Sequence, residues 1–167
     1  TDHIMPAGQR LKYRSNIPEY SKYVFENVDR DFSSRTLKNK MSGMYTAIVA
    51  GESYGQGSSR EHAAICPMYL GVRVVMAKSF ERIHSGNLVN FGILPLLFLK
   101  SSDYHRIRQG EHFRISGIIE SVKNGRNLVI ETEGTSCELK ILATERQRKI
   151  LLAGGLLNFT RDSMAGK

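Results

Sequence analysis

Between Gly51 and His62 the chain reads Gly-Glu-Ser-Tyr-Gly-Gln-Gly-Ser-Ser-Arg-Glu-His, which places three glycines ahead of two adjacent hydroxyls and a guanidinium. Such a set can stabilise an anion. Backbone N–H groups bared by a glycine turn, the positive end of a following helix and an arginine all favour negative charge. That charge can belong to a bound ligand or to a serine oxygen stripped of its proton. A plain helix start needs less: one hydroxyl at Ser58 or Ser59 accepting from an unpaired N–H, and at most one glycine. The surplus of Gly55, Gly57, a second serine and Arg60 points to a ligand.

Two ligand classes suit a glycine turn. Phosphate fits poorly, because the lysine of a nucleotide loop is missing and the glycine spacing is not that of a dinucleotide fingerprint. Carboxylate fits better, since Arg60 can offer a two-pronged fork and a neighbouring serine a further donor. The same surroundings lower the cost of a serine alkoxide and so allow a serine to act as a base. Acyl transfer through a Gly-x-Ser-x-Gly elbow is not indicated, because Glu61 stands where the last glycine is required. His62, three residues beyond Ser59, can orient the site, cap the helix or pack in the core; it is not read as catalytic.

The elements that must carry this turn follow from the hydrophobic pattern. Tyr45 to Ala50 reads as a strand, Ser59 to Leu70 as a helix, Val72 to Ala77 as a second strand and Phe80 to Asn90 as a second helix. Ile93 to Leu99 is a third strand, so the sheet is expected to be at least partly parallel, with crossover helices. Beyond the charged link at Asp103 to Arg106 the pattern alternates. His112 to Ile118, Leu128 to Thr132 and Cys137 to Leu142 are expected as antiparallel strands, with turns at Lys123 to Arg126 and Glu133 to Thr135. A helix from Thr144 to Ala153 ends at Gly154-Gly155, followed by a short apolar tail at Leu156-Leu157. The polar first 43 residues read as a wrapping segment with short helices near Ser21 to Glu26 and Phe32 to Asn39. The fold class is α/β, a mixed sheet flanked by helices and extended by antiparallel hairpins. One domain is expected over 1–167: the wrapping segment 1–43, an α/β core over 44–143, and a C-terminal helix and tail over 144–167.

With 167 residues, 41% of them apolar, the chain suffices for one core. No run approaches the ~20 apolar residues that cross a bilayer and no signal peptide opens the sequence, so a soluble, cytoplasmic protein is expected. Cys66 and Cys137 lack the spacing of a zinc or iron–sulfur site and read as inert core thiols. The net charge of +8 attracts polyanions, yet the basic residues are dispersed. Arg146 to Lys149 form the wet face of a helix, and no basic–aromatic alternation of a single-strand groove is present, which argues against nucleic acid. An acidic partner domain or a polycarboxylate would use the charge equally well.

Gly55-Gln56-Gly57-Ser58-Ser59-Arg60-Glu61-His62-Ala63-Ala64, Ala77-Lys78-Ser79-Phe80-Glu81-Arg82-Ile83-His84 and Asn90-Phe91-Gly92-Ile93-Leu94-Pro95-Leu96 occur in that order. Together with the opening Thr1 to Gly8 and Leu11-Lys12-Tyr13-Arg14, they resemble the C-terminal swivel domain of aconitase and of the isopropylmalate and homoaconitate dehydratases. The likeness runs from Thr1 to about Leu157. It implies that Ser58 is the base that removes a proton from substrate carbon. It also implies that Ser59, Arg60 and Arg14 bind substrate carboxylates, with Asp2 and His62 behind them as orienting groups. Arg82 and His84 lie in a helix whose motif packs the domain.

The resemblance also implies a four-iron four-sulfur cluster in the full enzyme, acting as a Lewis acid and held by cysteines of other domains. Neither Cys66 nor Cys137 matches those ligands, so this chain alone is expected to bind no metal and to turn over nothing. Its partners are then cluster-binding aconitase domains, in the same longer chain or in a large subunit, and a tricarboxylate substrate. The start inside Thr-Asp-His without an initiator methionine favours a domain of a longer chain. The expected function is an aconitate hydratase interconverting citrate and isocitrate through cis-aconitate. The alternatives are the small subunit or domain of a 3-isopropylmalate or homoaconitate dehydratase and, from another class, an RNA-binding basic domain.

Overall fold

In the computed structural model, which describes residues 1–132, 134 and 136–165, the apolar runs become strands and the segments between them helices. The first half holds α1 (Ile17–Ser21), α2 (Phe32–Met41), β1 (Thr46–Ala50), α3 (His62–Leu70), β2 (Val72–Ala77), α4 (Arg82–Asn90) and β3 (Leu94–Phe98). The second holds β4 (Arg114–Ile115), α5 (Ile118–Asn124), β5 (Leu128–Glu131), β6 (Ser136–Ile141), α6 (Glu145–Leu152) and α7 (Leu156–Ala165). Among the described residues the strands form one mixed sheet in the order β1-β2-β3-β6-β5-β4. β1, β2 and β3 pair in parallel; β3 with β6, β6 with β5 and β5 with β4 pair antiparallel.

β2 is almost continuously apolar because both of its faces are covered. Val72, Val75 and Ala77 join a core with Ile48, Ala63, Cys66, Leu70 and Leu88, sealed by Met5, Tyr20 and Val24 of the opening segment. Val74 and Met76 point the other way, into a second core with Leu96, Val122, Leu128, Ile130, Cys137 and Leu139. β5 and β6 alternate buried and exposed, as half-covered antiparallel strands do.

Several elements depart from the sequence expectation. The first helix begins at Ile17 rather than Ser21, because Asn16 caps it by accepting from Glu19 N–H and Pro18 sits in its first turn, where no N–H is needed. α4 starts at Arg82, since Phe80 is held in a bridge with Tyr54. The strand expected over His112 to Ile118 shrinks to Arg114–Ile115, and Ile118 opens α5 instead. The turn expected at Lys123 to Arg126 is the end of that helix, closed by Gly125 at φ +66. The supposed apolar tail is α7. Thr144 does start α6, through a capping box with Gln147. Glu133 and Thr135 of the expected hairpin turn lie outside the described residues.

Candidate active site

β1 and β2 end side by side, Ala50 against Ala77, so the loops leaving their carboxyl ends meet. Lys78 N–H donates to the Gly51 carbonyl (3.1 Å), Tyr54 N–H to that of Ser79 (3.0 Å) and Glu81 N–H to that of Tyr54 (3.0 Å). The glycine turn is thereby stitched to the segment that enters α4. A second tie runs through side chains: Ser53 N–H donates to Ser79 Oγ at 2.7 Å, and the Ser79 hydroxyl donates to Glu52 at 2.8 Å. These bonds hold Ser53 at φ +51, a left-handed conformation that costs a non-glycine residue about 1–2 kcal/mol. Gly55 and Gly57 follow at φ +92 and +108.

The opening segment grips the turn from the other side. The Thr1 hydroxyl donates to the Ser58 carbonyl at 2.8 Å. Arg60 lies across the arm, donating to the Met5 carbonyl at 3.0 Å and pairing with Asp2 at 2.5 Å. The Arg60 side chain is 19% exposed and that of Asp2 63%, so the guanidinium is sheltered and its counter-ion is wet. His62 Nε2–H donates to the Arg14 carbonyl at 3.0 Å, and its ring packs edge-on to Tyr20. The Tyr20 hydroxyl in turn donates to the Pro6 carbonyl.

Of the residues singled out in the sequence, the structure brings Ser58, Ser59, Arg60 and Asp2 to one turn. It joins His62 to the backbone of Arg14, whose side chain is exposed. Both serines are exposed too, but neither is the cap of a helix as expected. α3 begins only at His62, with Glu61 as its N-cap residue. Ahead of it Gly57 is left-handed and Arg60 is anchored on Asp2 and the Met5 carbonyl.

Sequence reasoning treated His84 as packing alone and gave no weight to its neighbourhood. Ser59 lines a cavity of about 370 Å³ together with Gly55, Gly57, Glu81, Arg82, Ile83 and His84. His84 is 3% exposed and its imidazole pKa is lowered to about 4, chiefly by burial. Tyr54 beside it is also buried, and burial pushes its phenol pKa up. Glycine is required at position 55, where a Cβ would come 2.3 Å from His84.

The two cysteines do not form a cradle for a metal cluster. Cys66 and Cys137 lie in different cores, both buried, and burial raises the Cys66 thiol to about 11, away from the thiolate a metal requires. Among the described residues no three His, Cys, Asp or Glu side chains cluster as ligands.

A family model described as the aconitase C-terminal domain matches residues 6–101, which take in the arm from Pro6 onward, the parallel strands and the whole glycine turn. The chain belongs to the aconitase C-terminal domain family. Relatives of this family include a probable mitochondrial aconitate hydratase of Caenorhabditis elegans, 35% identical over 99% of this chain and 24% of that protein. A 3-isopropylmalate dehydratase small subunit of Archaeoglobus fulgidus is 38% identical over 96% of this chain and 87% of its own length. The mitochondrial homocitrate dehydratase of Saccharomyces cerevisiae is 31% identical over 95% of the chain and 23% of that protein. The chain thus spans about a quarter of the length of the aconitate hydratases it matches. The crystal structure of 3-isopropylmalate dehydratase from Methanocaldococcus jannaschii superposes with a TM-score of 0.75 at 29% identity, covering 98% of this chain and 87% of that one. Aconitase-family architecture and a hydro-lyase kinship are therefore common to the set.

Proposed function

We propose that this chain forms one half of a hydro-lyase active site, with Ser58 as the base. Its alkoxide takes a proton from the substrate carbon next to a carboxylate; in the reverse direction the Ser58 hydroxyl returns it. Ser59, Arg60 and Arg14 hold substrate carboxylates, Asp2 sets the Arg60 fork and His62 sets the segment that carries Arg14. The observation that carries this reading is the exposed serine pair on a left-handed turn whose next residue, Arg60, is anchored and sheltered. The other half of the site, including any four-iron four-sulfur cluster that would supply Lewis acidity, belongs to accompanying domains or a large subunit.

The substrate of this reading is a tricarboxylate: citrate and isocitrate, exchanged through cis-aconitate, with Arg14 free to meet a further carboxylate. A 3-isopropylmalate dehydratase small subunit is the second reading, favoured by the match to nearly the full length of the Archaeoglobus protein. Turnover of citrate, isocitrate and 3-isopropylmalate by the complete enzyme separates the two. Ser58→Ala should lower kcat at least about a thousandfold while KM changes little, as for loss of a group that acts only in the transition state. Retained activity in Ser58→Ala would remove Ser58 as the base.

A further inference from the structure

Ser53 is the first left-handed residue of the serine turn, at φ +51, and unlike Gly55 and Gly57 it meets that conformation with a side chain. A residue other than glycine adopts it only rarely unless its surroundings impose it. Two contacts hold Ser53 there: its N–H donates to Ser79 Oγ at 2.7 Å, and its carbonyl accepts from Gln56 N–H at 3.0 Å. The second closes a four-residue turn from Ser53 to Gln56, whose third residue, Gly55, stands at φ +92, where a type II turn asks for glycine. Gln56 is two residues from Ser58.

Ser79 lies outside the turn, between β2 and α4, and reaches it in three ways. Its hydroxyl oxygen accepts from Ser53, its hydroxyl proton goes to Glu52 at 2.8 Å, and its carbonyl accepts from Tyr54 N–H at 3.0 Å. The bond to Glu52 gives the hydroxyl a direction. An ionised carboxylate only accepts, so it draws the Ser79 proton to itself and leaves the oxygen lone pairs to Ser53. Helix capping does not account for this hydroxyl, because α4 has Glu81 as its N-cap residue and no side-chain bond to its cap. At the far end of the turn the Thr1 hydroxyl holds the Ser58 carbonyl at 2.8 Å.

We propose that Ser79 is a positioning residue for the site, resting on the reading of Ser58 as its base: its hydroxyl, aimed by Glu52, keeps Ser53 left-handed and, through the Ser53–Gln56 bond, sets where Ser58 and Ser59 stand. Without that hydroxyl Ser53 relaxes toward an ordinary backbone conformation, its carbonyl turns away from Gln56, and the serines leave their place. Arg60 keeps its own anchors on Asp2 and the Met5 carbonyl, so substrate binding should suffer less than proton transfer.

The test uses the complete, cluster-loaded enzyme with Ser79→Ala, Ser79→Ala/Ser53→Gly and Glu52→Ala. It reads kcat and KM well below the lowest thermal midpoint, where every variant is folded, together with amide exchange at Gln56. Ser79→Ala is expected to lower kcat about tenfold or more with KM within about threefold, since small misplacements of a reacting group cost that much or more. The Gln56 amide should exchange faster while those of β2 do not. Glycine at 53 takes the left-handed conformation without penalty, so the double variant should turn over at least about threefold faster than Ser79→Ala. Glu52→Ala should lose less than Ser79→Ala, because the hydroxyl remains. A kcat in Ser79→Ala within about twofold of the parent, a double variant no faster than Ser79→Ala, or a larger loss in Glu52→Ala would overturn the inference and leave Ser58 untouched. A parent enzyme that dehydrates none of citrate, isocitrate and 3-isopropylmalate would sink the underlying reading, and this inference with it.

Discussion

His62 Nε2 donates to the main-chain carbonyl of Arg14 across 3.0 Å, joining the first residue of α3 to the end of the opening arm. The bond fixes the backbone of Arg14 and leaves its guanidinium exposed. His62→Ala should therefore act on binding more than on chemistry. One hydrogen bond of about 1 kcal/mol predicts a KM rise of roughly fivefold to tenfold with kcat nearly unchanged. His62→Gln, which keeps a donor, should recover most of the loss in steady-state kinetics.

Asp2 and Arg60 should behave as one unit. Asp2→Asn leaves a sheltered guanidinium without its counter-ion and should reduce kcat/KM about tenfold. Arg60→Lys should cost more, because an ammonium cannot reach Asp2, the Met5 carbonyl and a substrate carboxylate with one planar fork. The double variant should be no worse than Arg60→Lys alone. A fully additive double-mutant cycle would show that Asp2 acts elsewhere.

The turn glycines differ sharply in what they tolerate. Gly55→Ala forces a side chain into a left-handed conformation and onto His84, so urea unfolding should show a loss of about 2 kcal/mol or more. At Gly51 a Cβ would meet nothing within 4 Å, and φ is not left-handed. Gly51→Ala should stay within about 0.5 kcal/mol of the parent.

Acid should weaken the fold through His84. Its folded pKa is lowered to about 4 against an ordinary 6.5, so the unfolded chain binds the extra proton between those values. Stability is then fully present above pH 6.5, declines as pH falls toward 4 and levels off below. The whole span is worth about 3 kcal/mol. The thermal midpoints of the parent and of His84→Phe should separate as pH falls from 7, with the gap widest near pH 4 and constant below, because only the parent loses ground. Parallel curves would show that His84 is not held neutral.

The sequence carried the parallel half of the fold well, because β1, β2 and β3 are apolar runs between segments free of strand signals. It carried the serine turn too, through glycines whose number exceeds what a cap needs. It misled where two signals compete. Ile118 belongs to an alternating run that also opens a helical stretch, and tertiary cover by the second core decided for the helix. α7 was lost because Gly154-Gly155 reads as an ending, although both glycines only turn the chain back against α4: a Cβ at Gly155 would meet the Asn90 carbonyl at 2.8 Å. His84 was placed correctly on its helix but read as packing alone. Burial without partners is a property of three dimensions, and no linear pattern reports it.

The two cores divide the molecule along the sheet. Among the described residues, those that hold the serine turn include Thr1, Asp2 and Met5 of the arm and Ser79, Glu81 and His84 beyond β2, while the family match covers 6–101. The antiparallel wing of β4, β5 and β6 closes the second core on the opposite face together with Val74, Met76, Leu94, Leu96 and Phe98 of β2 and β3. β2 serves both cores, with Val72, Val75 and Ala77 on one face and Val74 and Met76 on the other, so the strand that ends beside the serine turn also ties that half of the molecule to the wing.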